Sequence, residues 1–208
     1  MIEASSPISA IFDGVAARVN ASSVPVRSLA VTRTLHGEGS TTVALGLAMS
    51  LAGYDSKAVL LVDANWLRPS LSADGHRIHA PGLAEYLRGE LALDDAVVAA
   101  ARKDLWLLPA GRFGDELPPL GRLAKLIDDI GSRFGKTVVD LPPVLVAPAL
   151  VVPWASAVDQ TYLVMRHGTT PVGLIRKAVA ELGPHHAPQL ILNRSRLEGA
   201  ALSVAYGA

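Results

Sequence analysis

The chain alternates short, almost continuous apolar segments with segments of helical periodicity, and this alternation restricts its fold more than any other feature. One apolar segment, KAVLLVDA at 57–64, is rich in Val and Leu, as is typical of a strand covered on both faces. Five further segments have the same character: VRSLAVTR, DLWLLPAG, KTVVDLPP, QTYLVMR and PQLILNR. Strands and helices in alternation, joined by right-handed crossovers, predict an α/β fold, a doubly wound, mostly parallel sheet with helices on both faces.

The segments between these strands have the spacing of helices. Two stripes of apolar residues recur at intervals of three or four, and we expect each to line one face of a helix. The stripes are Leu120, Leu123, Ile127, Ile130 and Phe134, and Val172, Ile175, Val179 and Leu182. Three shorter helices are predicted at 42–51, in PGLAEYLRGE and in LDDAVVAAA.

Composition limits the domain count and the kinds of partner. At 208 residues the chain suits one α/β domain, which we expect at 26–195, after an N-terminal arm or helix at 1–25 and before a C-terminal tail at 196–208. The 19 basic and 19 acidic side chains cancel, so no general attraction to nucleic acid is expected. The absence of cysteine fits a cytoplasmic location.

Membrane insertion is not expected either. The first residues lack the pattern of a signal peptide, and no apolar run reaches the ~18 residues of a membrane span without interruption. The longest candidate, 141–157, contains four prolines, which a spanning helix tolerates poorly.

Polar features follow three of the predicted strands. The first is HGEGSTT at 36–42, whose small residues allow backbone N–H groups to point inward at the start of a helix, where an anion binds well. Thr41 lies where a loop hydroxyl would reach Mg²⁺. Asp63 and Asp140 end the second and fourth strands, and such carboxylates hold a metal-bound water in phosphoryl-transfer sites. Considered alone, the loop is as typical of a glycine turn as of a phosphate site. Each aspartate, considered alone, is more typical of a helix cap or a turn residue than of a metal ligand.

In this order the three features resemble the bacterial tyrosine kinase family of capsule and exopolysaccharide biosynthesis, a branch of the Min/Par-like P-loop ATPases. VTRTLHGEGSTT is similar to a family loop of the form T-S-x-x-P-G-E-G-K-S-T, VLLVDANWLRP to V-L-L-I-D-A-D-x-R-R-P, and VVDLPPVLVAPAL to I-I-D-T-P-P-V-L-x-x-x-D-A. The resemblance implies a P-loop fold, ATP or ADP with Mg²⁺ as cofactors, and a membrane polysaccharide co-polymerase as partner. It also implies a place at the inner face of the cell membrane.

Carried over residue by residue, the resemblance implies a nucleotide site with altered chemistry. It implies cofactor binding at seven positions: Gly37, Glu38, Gly39, Ser40, Thr41, Thr42 and Asn193. It implies Mg²⁺ ligation by Thr41, Asp63 and Asp140, with the two aspartates as catalytic residues if the protein is active. Ser40, however, takes the place of the P-loop lysine, Asn65 replaces a second aspartate, and the aspartate of the third motif is missing near Ala149.

Three other residues bear on charge and assembly. Arg33 could replace the missing lysine, although an arginine directly after a strand is more typical of a solvent-facing or carboxylate-paired side chain. The family's tyrosine-rich tail is represented only by Tyr206, the candidate phospho-acceptor. Its ring-forming motif E-x-x-R-x-x-R is represented only by Arg18, which leaves homo-oligomer formation open.

Two further features have structural interpretations. His185 and His186, in a proline-flanked turn, lack an evident third ligand, so a solvated loop is expected rather than a metal site. Trp66 is more typical of packing on the sheet edge or against a partner than of covering a bound base.

Three functions fit these patterns. The first hypothesis is a catalytically weak or inactive, kinase-like regulator or adaptor of an exopolysaccharide or capsule complex, which would not act as an enzyme by its own turnover. The second is an active ATP-dependent tyrosine autokinase with an atypical P-loop. The third is a Min/Par-like positioning ATPase, which would normally carry the loop lysine and a basic membrane or DNA-binding surface.

Overall fold

A seven-stranded sheet forms the centre of the part of the chain that the structure describes. This computed structural model describes residues 7–54, 57–114, 118–183 and 187–194. The strands within these ranges are β1 Ser28–Arg33, β2 Val59–Asp63, β3 Val98–Ala99, β4 Leu105–Leu108, β5 Lys136–Pro143, β6 Gln160–Arg166 and β7 Gln189–Asn193. Their order is β3-β4-β2-β5-β1-β6-β7, and all pairs are parallel except β3 with β4.

Helices cover both faces of this sheet, which confirms the doubly wound α/β prediction. The helices within the described ranges are α1 Pro7–Asn20, α2 Ser40–Tyr54, α3 Ser70–Asp74, α4 Leu83–Arg88, α5 Leu93–Ala96, α6 Leu123–Gly131, α7 Pro148–Ala157 and α8 Val172–Leu182. α1 and α2 pack with one face of the sheet in one apolar cluster, and α4 to α8 pack with the other face in a second. Because the strands are buried from both sides, their sequences are continuously apolar rather than alternating.

The strand β3 was not predicted, and it corrects the helix assigned to LDDAVVAAA. Helix α5 ends at Ala96, and Val98 and Ala99 then pair antiparallel with Leu107 and Trp106. Val97 and Val98 are β-branched, so they favour extended backbone, and β4 at this edge of the sheet pairs with Val98 and Ala99.

The predicted stripe from Leu120 to Phe134 is also shorter as a helix than its spacing suggested. Leu120 lies in a 3₁₀ turn, α6 covers Leu123–Gly131, and Phe134 follows the helix. Phe134 meets Trp106 edge to face, with ring centroids 6.4 Å apart. The apolar pattern therefore marked residues that share a core, some of them outside the helix itself.

Helix α1 packs directly on α2. A Cβ atom at Gly46 would lie 2.5 Å from the Phe12 ring, so the two helices approach closely at this glycine. Ser50 Oγ donates a hydrogen bond to Asp13 Oδ1. The boundaries predicted at residues 25 and 195 stay predictions.

Helix α7 accounts for the proline-rich segment that was considered as a membrane span. Pro148 stands in its first turn, where a missing N–H costs nothing, and Pro153 lies inside it. Within the described ranges, no helix is both long and apolar enough to cross a bilayer. Tyr206, His185 and His186 lie outside the described residues, as does the tail at 196–208.

Candidate functional site

The loop between β1 and α2 lies at the carboxyl end of the sheet and has the backbone of an anion cradle. Gly37 and Gly39 have φ angles of 83° and 88°, a region that favours glycine. A Cβ atom at Gly39 would also lie 2.4 Å from Asn193 Nδ2, so a side chain at this position would displace the Asn193 amide. Asn193, on β7, donates from Nδ2 to the Glu38 carbonyl at 2.8 Å. The predicted loop residues and Asn193 are thus brought together.

Glu38 holds the loop in this shape through its buried carboxylate. Its Oε2 accepts a hydrogen bond from the Leu35 N–H at 2.9 Å, and its Oε1 accepts one from Thr170 Oγ1 at 2.5 Å. Both carboxylate oxygens are therefore engaged by the protein. Glu38 was predicted as a cofactor-binding residue, but its side chain stabilises the loop that would surround a cofactor.

The backbone N–H groups of the loop are available to a ligand. Within the described residues, none of the N–H groups of residues 37–41 makes a hydrogen bond to a protein acceptor, and the first such bond of the helix runs from Val43 to the Gly39 carbonyl. They lie at the positive end of the 15-residue helix α2. This arrangement suits a phosphate group.

Thr41 and Asp140 form the candidate metal position. Thr41 Oγ1 donates to Asp140 Oδ2 at 2.7 Å, while Asp140 Oδ1 is buried and has no partner among the described residues. Burial raises the pKa of Asp140 to about 7, although the Thr41 hydrogen bond acts in the opposite direction and the Asp63 charge adds to the rise. A hydroxyl beside a carboxylate with a free oxygen is a donor set that suits Mg²⁺.

Asp63 lies beside Asp140 but is engaged elsewhere. The two residues are register partners on β2 and β5. Asp63 Oδ2 accepts hydrogen bonds from the Ser72 N–H at 2.8 Å and from Ser72 Oγ at 2.7 Å, and Oδ1 accepts one from the Asn65 N–H at 3.3 Å. Burial is the main cause that raises its pKa. Asp63 therefore ties the end of β2 to helix α3.

Arg33 corrects an expectation, because its side chain is not solvent-facing. It is 5% exposed, and its Nη1 donates to Ser40 Oγ at 2.5 Å and to the Leu141 carbonyl at 3.3 Å. Burial lowers its pKa, while the charges of Asp140 and Glu38 act in the opposite direction. The guanidinium thus lies against the residue that stands at the lysine position.

Asn65 and Trp66 follow Asp63 and are both buried. Asn65 Oδ1 has no partner among the described residues. Trp66 packs into the core, donates from Nε1 to the Ala110 carbonyl at 2.8 Å, and stacks on Phe113 with ring centroids 5.6 Å apart. The packing interpretation of Trp66 is confirmed.

A magnesium nucleotide fits these residues. The unbonded N–H groups of residues 37–41 would receive phosphate oxygens, and Thr41 with Asp140 would hold the metal. The exposed Thr42 hydroxyl lies in the same first turn of α2. The orphaned Oδ1 of Asp140 and the orphaned Nε of Arg33 are buried polar atoms that a charged ligand would satisfy.

Sequence reasoning missed the residues that hold this site in place. Ser72 engages Asp63 and also accepts the Ala110 N–H, which joins the ends of β2 and β4. Thr170 engages Glu38 from the loop after β6. A serine in a short helix and a threonine before Pro171 have many other roles, so neither carried a signal that could have singled it out.

Comparisons with known proteins agree on one class. No protein-family model matches the chain. A tyrosine-protein kinase CpsD of Streptococcus agalactiae is 29% identical over 176 residues, which span 82% of this chain and 76% of that protein. The crystal structure of the VpsO kinase domain is 27% identical and has a TM-score of 0.79, over 91% of this chain and 95% of that domain.

A more distant structure defines the wider fold. The septum site-determining protein MinD of Pyrococcus horikoshii, solved with Mg-ADP, has a TM-score of 0.65 at 20% identity, over 88% of this chain and 78% of that one. At this identity the likeness concerns the fold alone. The homologues of this chain are therefore bacterial tyrosine-protein kinases, and its fold is that of their kinase domains and of the Min and Par classes of P-loop ATPases.

Proposed function

We propose that this chain is a kinase-like regulator that binds a magnesium nucleotide at the β1–α2 loop and transfers phosphate weakly or not at all. The complex that it regulates is one for exopolysaccharide or capsule biosynthesis and export. The observation that carries the proposal is Ser40, a neutral and fully buried side chain at the loop position where related loops have lysine.

Nucleotide binding is supported by groups that need no lysine. The free N–H groups of residues 37–41 and the start of α2 suit phosphate, and Thr41 with Asp140 suits Mg²⁺. When bound, the metal would neutralise phosphate charge. In this proposal Glu38 contributes by keeping the loop in its binding shape.

Weak phosphoryl transfer is supported by the absence of a positive charge on the side chain at position 40, where Ser40 replaces a lysine. A lysine about 4 Å from a phosphate oxygen is worth roughly 4 kcal/mol at an effective dielectric constant near 20. If that interaction forms mainly in the transition state, its loss lowers the rate by about three orders of magnitude. Serine offers a hydrogen bond without the charge.

The residues after β2 support the same conclusion. Asp63 accepts three hydrogen bonds from Ser72 and Asn65, which hold its carboxylate against α3 and stabilise its charged form, so they make it a weaker base toward a substrate hydroxyl. Asn65 is an amide and cannot act as a base at neutral pH. Asp140, the other carboxylate at this edge of the sheet, is the one placed beside Thr41 to hold the metal.

The regulatory role rests on the resemblance and on the homologues. A domain that keeps the kinase fold without its transfer chemistry can still bind the partner of an active kinase. We propose that this partner is the membrane polysaccharide co-polymerase, which would recruit the chain to the inner face of the membrane. Because the chain has a net charge of zero, this recruitment depends on the protein partner rather than on anionic lipid.

Calorimetric titration with ADP and ATP, with and without Mg²⁺, tests the proposal. We expect the wild type to bind nucleotide saturably and more tightly in Mg²⁺. We expect the nucleotide affinity of Asp140→Asn to be the same with and without Mg²⁺. If a folded wild-type protein binds neither nucleotide at millimolar concentration, the proposed function is wrong.

A second candidate is an active tyrosine autokinase, and one contact favours it. The Arg33 guanidinium lies 2.5 Å from Ser40 Oγ and so brings a cation to the lysine position. This candidate predicts phosphotyrosine on purified protein incubated with Mg-ATP and none on Asp140→Asn. Equal background from both proteins favours the regulator.

A further inference from the structure

Arg33 is an unusual residue because its charge is buried. Among the described residues it is the only buried lysine or arginine. Removing a charged group from water costs several kcal/mol unless an opposite charge and hydrogen bonds replace the lost hydration. A buried arginine therefore indicates an anionic partner.

The described residues do not supply that partner by direct contact. The acceptors of Arg33 Nη1, Ser40 Oγ and the Leu141 carbonyl, are neutral, and Nε is buried without an acceptor. None of the ion pairs within the described ranges includes Arg33. The carboxylates of Asp140 and Glu38 influence it only across a distance.

The position of the guanidinium indicates what the partner is. Ser40 is the first residue of α2, so Nη1 lies at the same helix end as the free N–H groups of residues 37–41. Arg68, exposed in the loop after β2, is close enough for its charge to act on Arg33. A buried guanidinium and a row of free N–H groups at one helix end suit a multiply charged phosphate.

We infer that Arg33 supplies the positive charge with which the β1–α2 loop binds the phosphates of a nucleotide, an inference that rests on the proposed function. The charge comes from the end of β1 instead of from the loop itself. A guanidinium donates in a fixed planar fork, whereas a lysine ammonium is a mobile point charge that can follow a phosphate during transfer. Arg33 is therefore a binding residue.

The identity of Ser40 follows from the same arrangement. Ser40 is fully buried and its Oγ contacts Nη1, so a longer side chain at this position would occupy the space of the guanidinium. Arginine at 33 and a small residue at 40 are thus compatible, and so are a small residue at 33 and lysine at 40. A lysine at position 40 should therefore be accommodated only when Arg33 is replaced by a small residue as well.

Equilibrium binding of ADP in Mg²⁺ tests the inference, with the thermal unfolding midpoint of each variant recorded without nucleotide. We expect Arg33→Gln to weaken ADP binding about 10- to 100-fold, as for the loss of a charge-assisted hydrogen bond and its charge. Arg27→Gln, a change at the exposed residue directly before the same strand, is the matched control and should bind as the wild type does.

Two double variants test the charge without relying on Arg33→Gln to fold. Arg33→Ser/Ser40→Lys and Arg33→Ser/Ser40→Gln fill position 40 with side chains of similar length that differ in charge, and only the lysine form should bind ADP within about tenfold of the wild type. Equal ADP affinity in this pair, or in wild type and folded Arg33→Gln, overturns the inference and leaves the proposed function standing. Absence of ADP binding by the wild type refutes the proposed function itself.

Discussion

Thr41 Oγ1 donates a 2.7 Å hydrogen bond to Asp140 Oδ2, and this contact joins the first turn of α2 to β5. The hydroxyl and the carboxylate are therefore already together at the place where the phosphate loop ends. A metal entering there would meet two oxygen ligands with little rearrangement, which favours binding because the ordering cost has been met in folding.

Replacing Thr41 by valine, which keeps the shape and removes the hydroxyl, should abolish the effect of Mg²⁺ on ADP binding. The expected result is an ADP affinity in Mg²⁺ equal to that in EDTA, measured by titration. Thr169→Val, at an exposed position of the loop after β6, is the control. A Thr41→Val protein that still binds ADP more tightly in Mg²⁺ would show that the hydroxyl is not a ligand.

Asp140 should make the metal-free protein less stable as pH rises. Its folded-state pKa of about 7 lies above the ordinary 3.8, so the folded state binds the proton more tightly than the unfolded state. Its contribution to stability is complete below about pH 4 and is lost as pH rises through 7. Relative to Asp140→Asn, the unfolding free energy of the wild type should therefore fall between pH 4 and 8, by up to about 4 kcal/mol.

Denaturant unfolding of both proteins in EDTA measures this difference. Asp128→Asn, on the exposed side of α6, is the matched control. A constant difference between wild type and Asp140→Asn across this range would mean that the carboxyl group is ionised in the folded protein throughout.

Glu38 should keep the β1–α2 loop ordered. Glu38→Ala removes the acceptor of the Leu35 N–H and of Thr170 Oγ1, at an expected cost of about 1–3 kcal/mol in unfolding free energy. Amide hydrogen exchange should accelerate at Leu35, whose N–H loses its acceptor, with little change in β5. Unchanged exchange in the loop would contradict the role given to this carboxylate.

The two loop glycines should differ in their tolerance of alanine. Both have positive φ angles, but a Cβ atom meets Asn193 only at Gly39, while nothing lies within 4 Å of one at Gly37. Each alanine costs roughly 1 kcal/mol for the backbone conformation, and Gly39→Ala should cost more because of the clash. In an Asn193→Ala background the costs of the two alanine substitutions, measured by thermal unfolding, should become similar. If Gly39→Ala remains more costly there, the contact with Asn193 is not the cause of the difference.

The fold and the place of the candidate site could be predicted from the sequence, because both depend on the apolar pattern of the strands and on their parallel direction. The carboxyl ends of parallel strands share one edge, so Asp63, Asp140 and the loop after β1 had to meet there. Burial of the strands from both sides was equally visible in their continuous apolar runs.

The environment of the Arg33 side chain could not be predicted from the sequence, because the apolar pattern of a strand does not show which residues a side chain at its end will contact. Its interpretation as a solvent-facing or carboxylate-paired side chain was wrong: the small Ser40 leaves space that the guanidinium fills, and none of the ion pairs within the described ranges includes Arg33. The engagement of Asp63 by Ser72 depends on how α3 turns back over β2, a tertiary contact without a sequence signature. Both facts bear on chemistry rather than on fold.

Single-turnover hydrolysis of γ-labelled ATP by the wild type and Asp140→Asn, at protein concentrations above their dissociation constants, measures whether the bound nucleotide is used for phosphoryl transfer. We expect the wild-type protein to bind Mg-ATP yet to release labelled phosphate, or transfer it to tyrosine, at a rate within tenfold of Asp140→Asn. A wild-type rate that exceeds that of the folded variant by two orders of magnitude or more would contradict it and identify an active kinase.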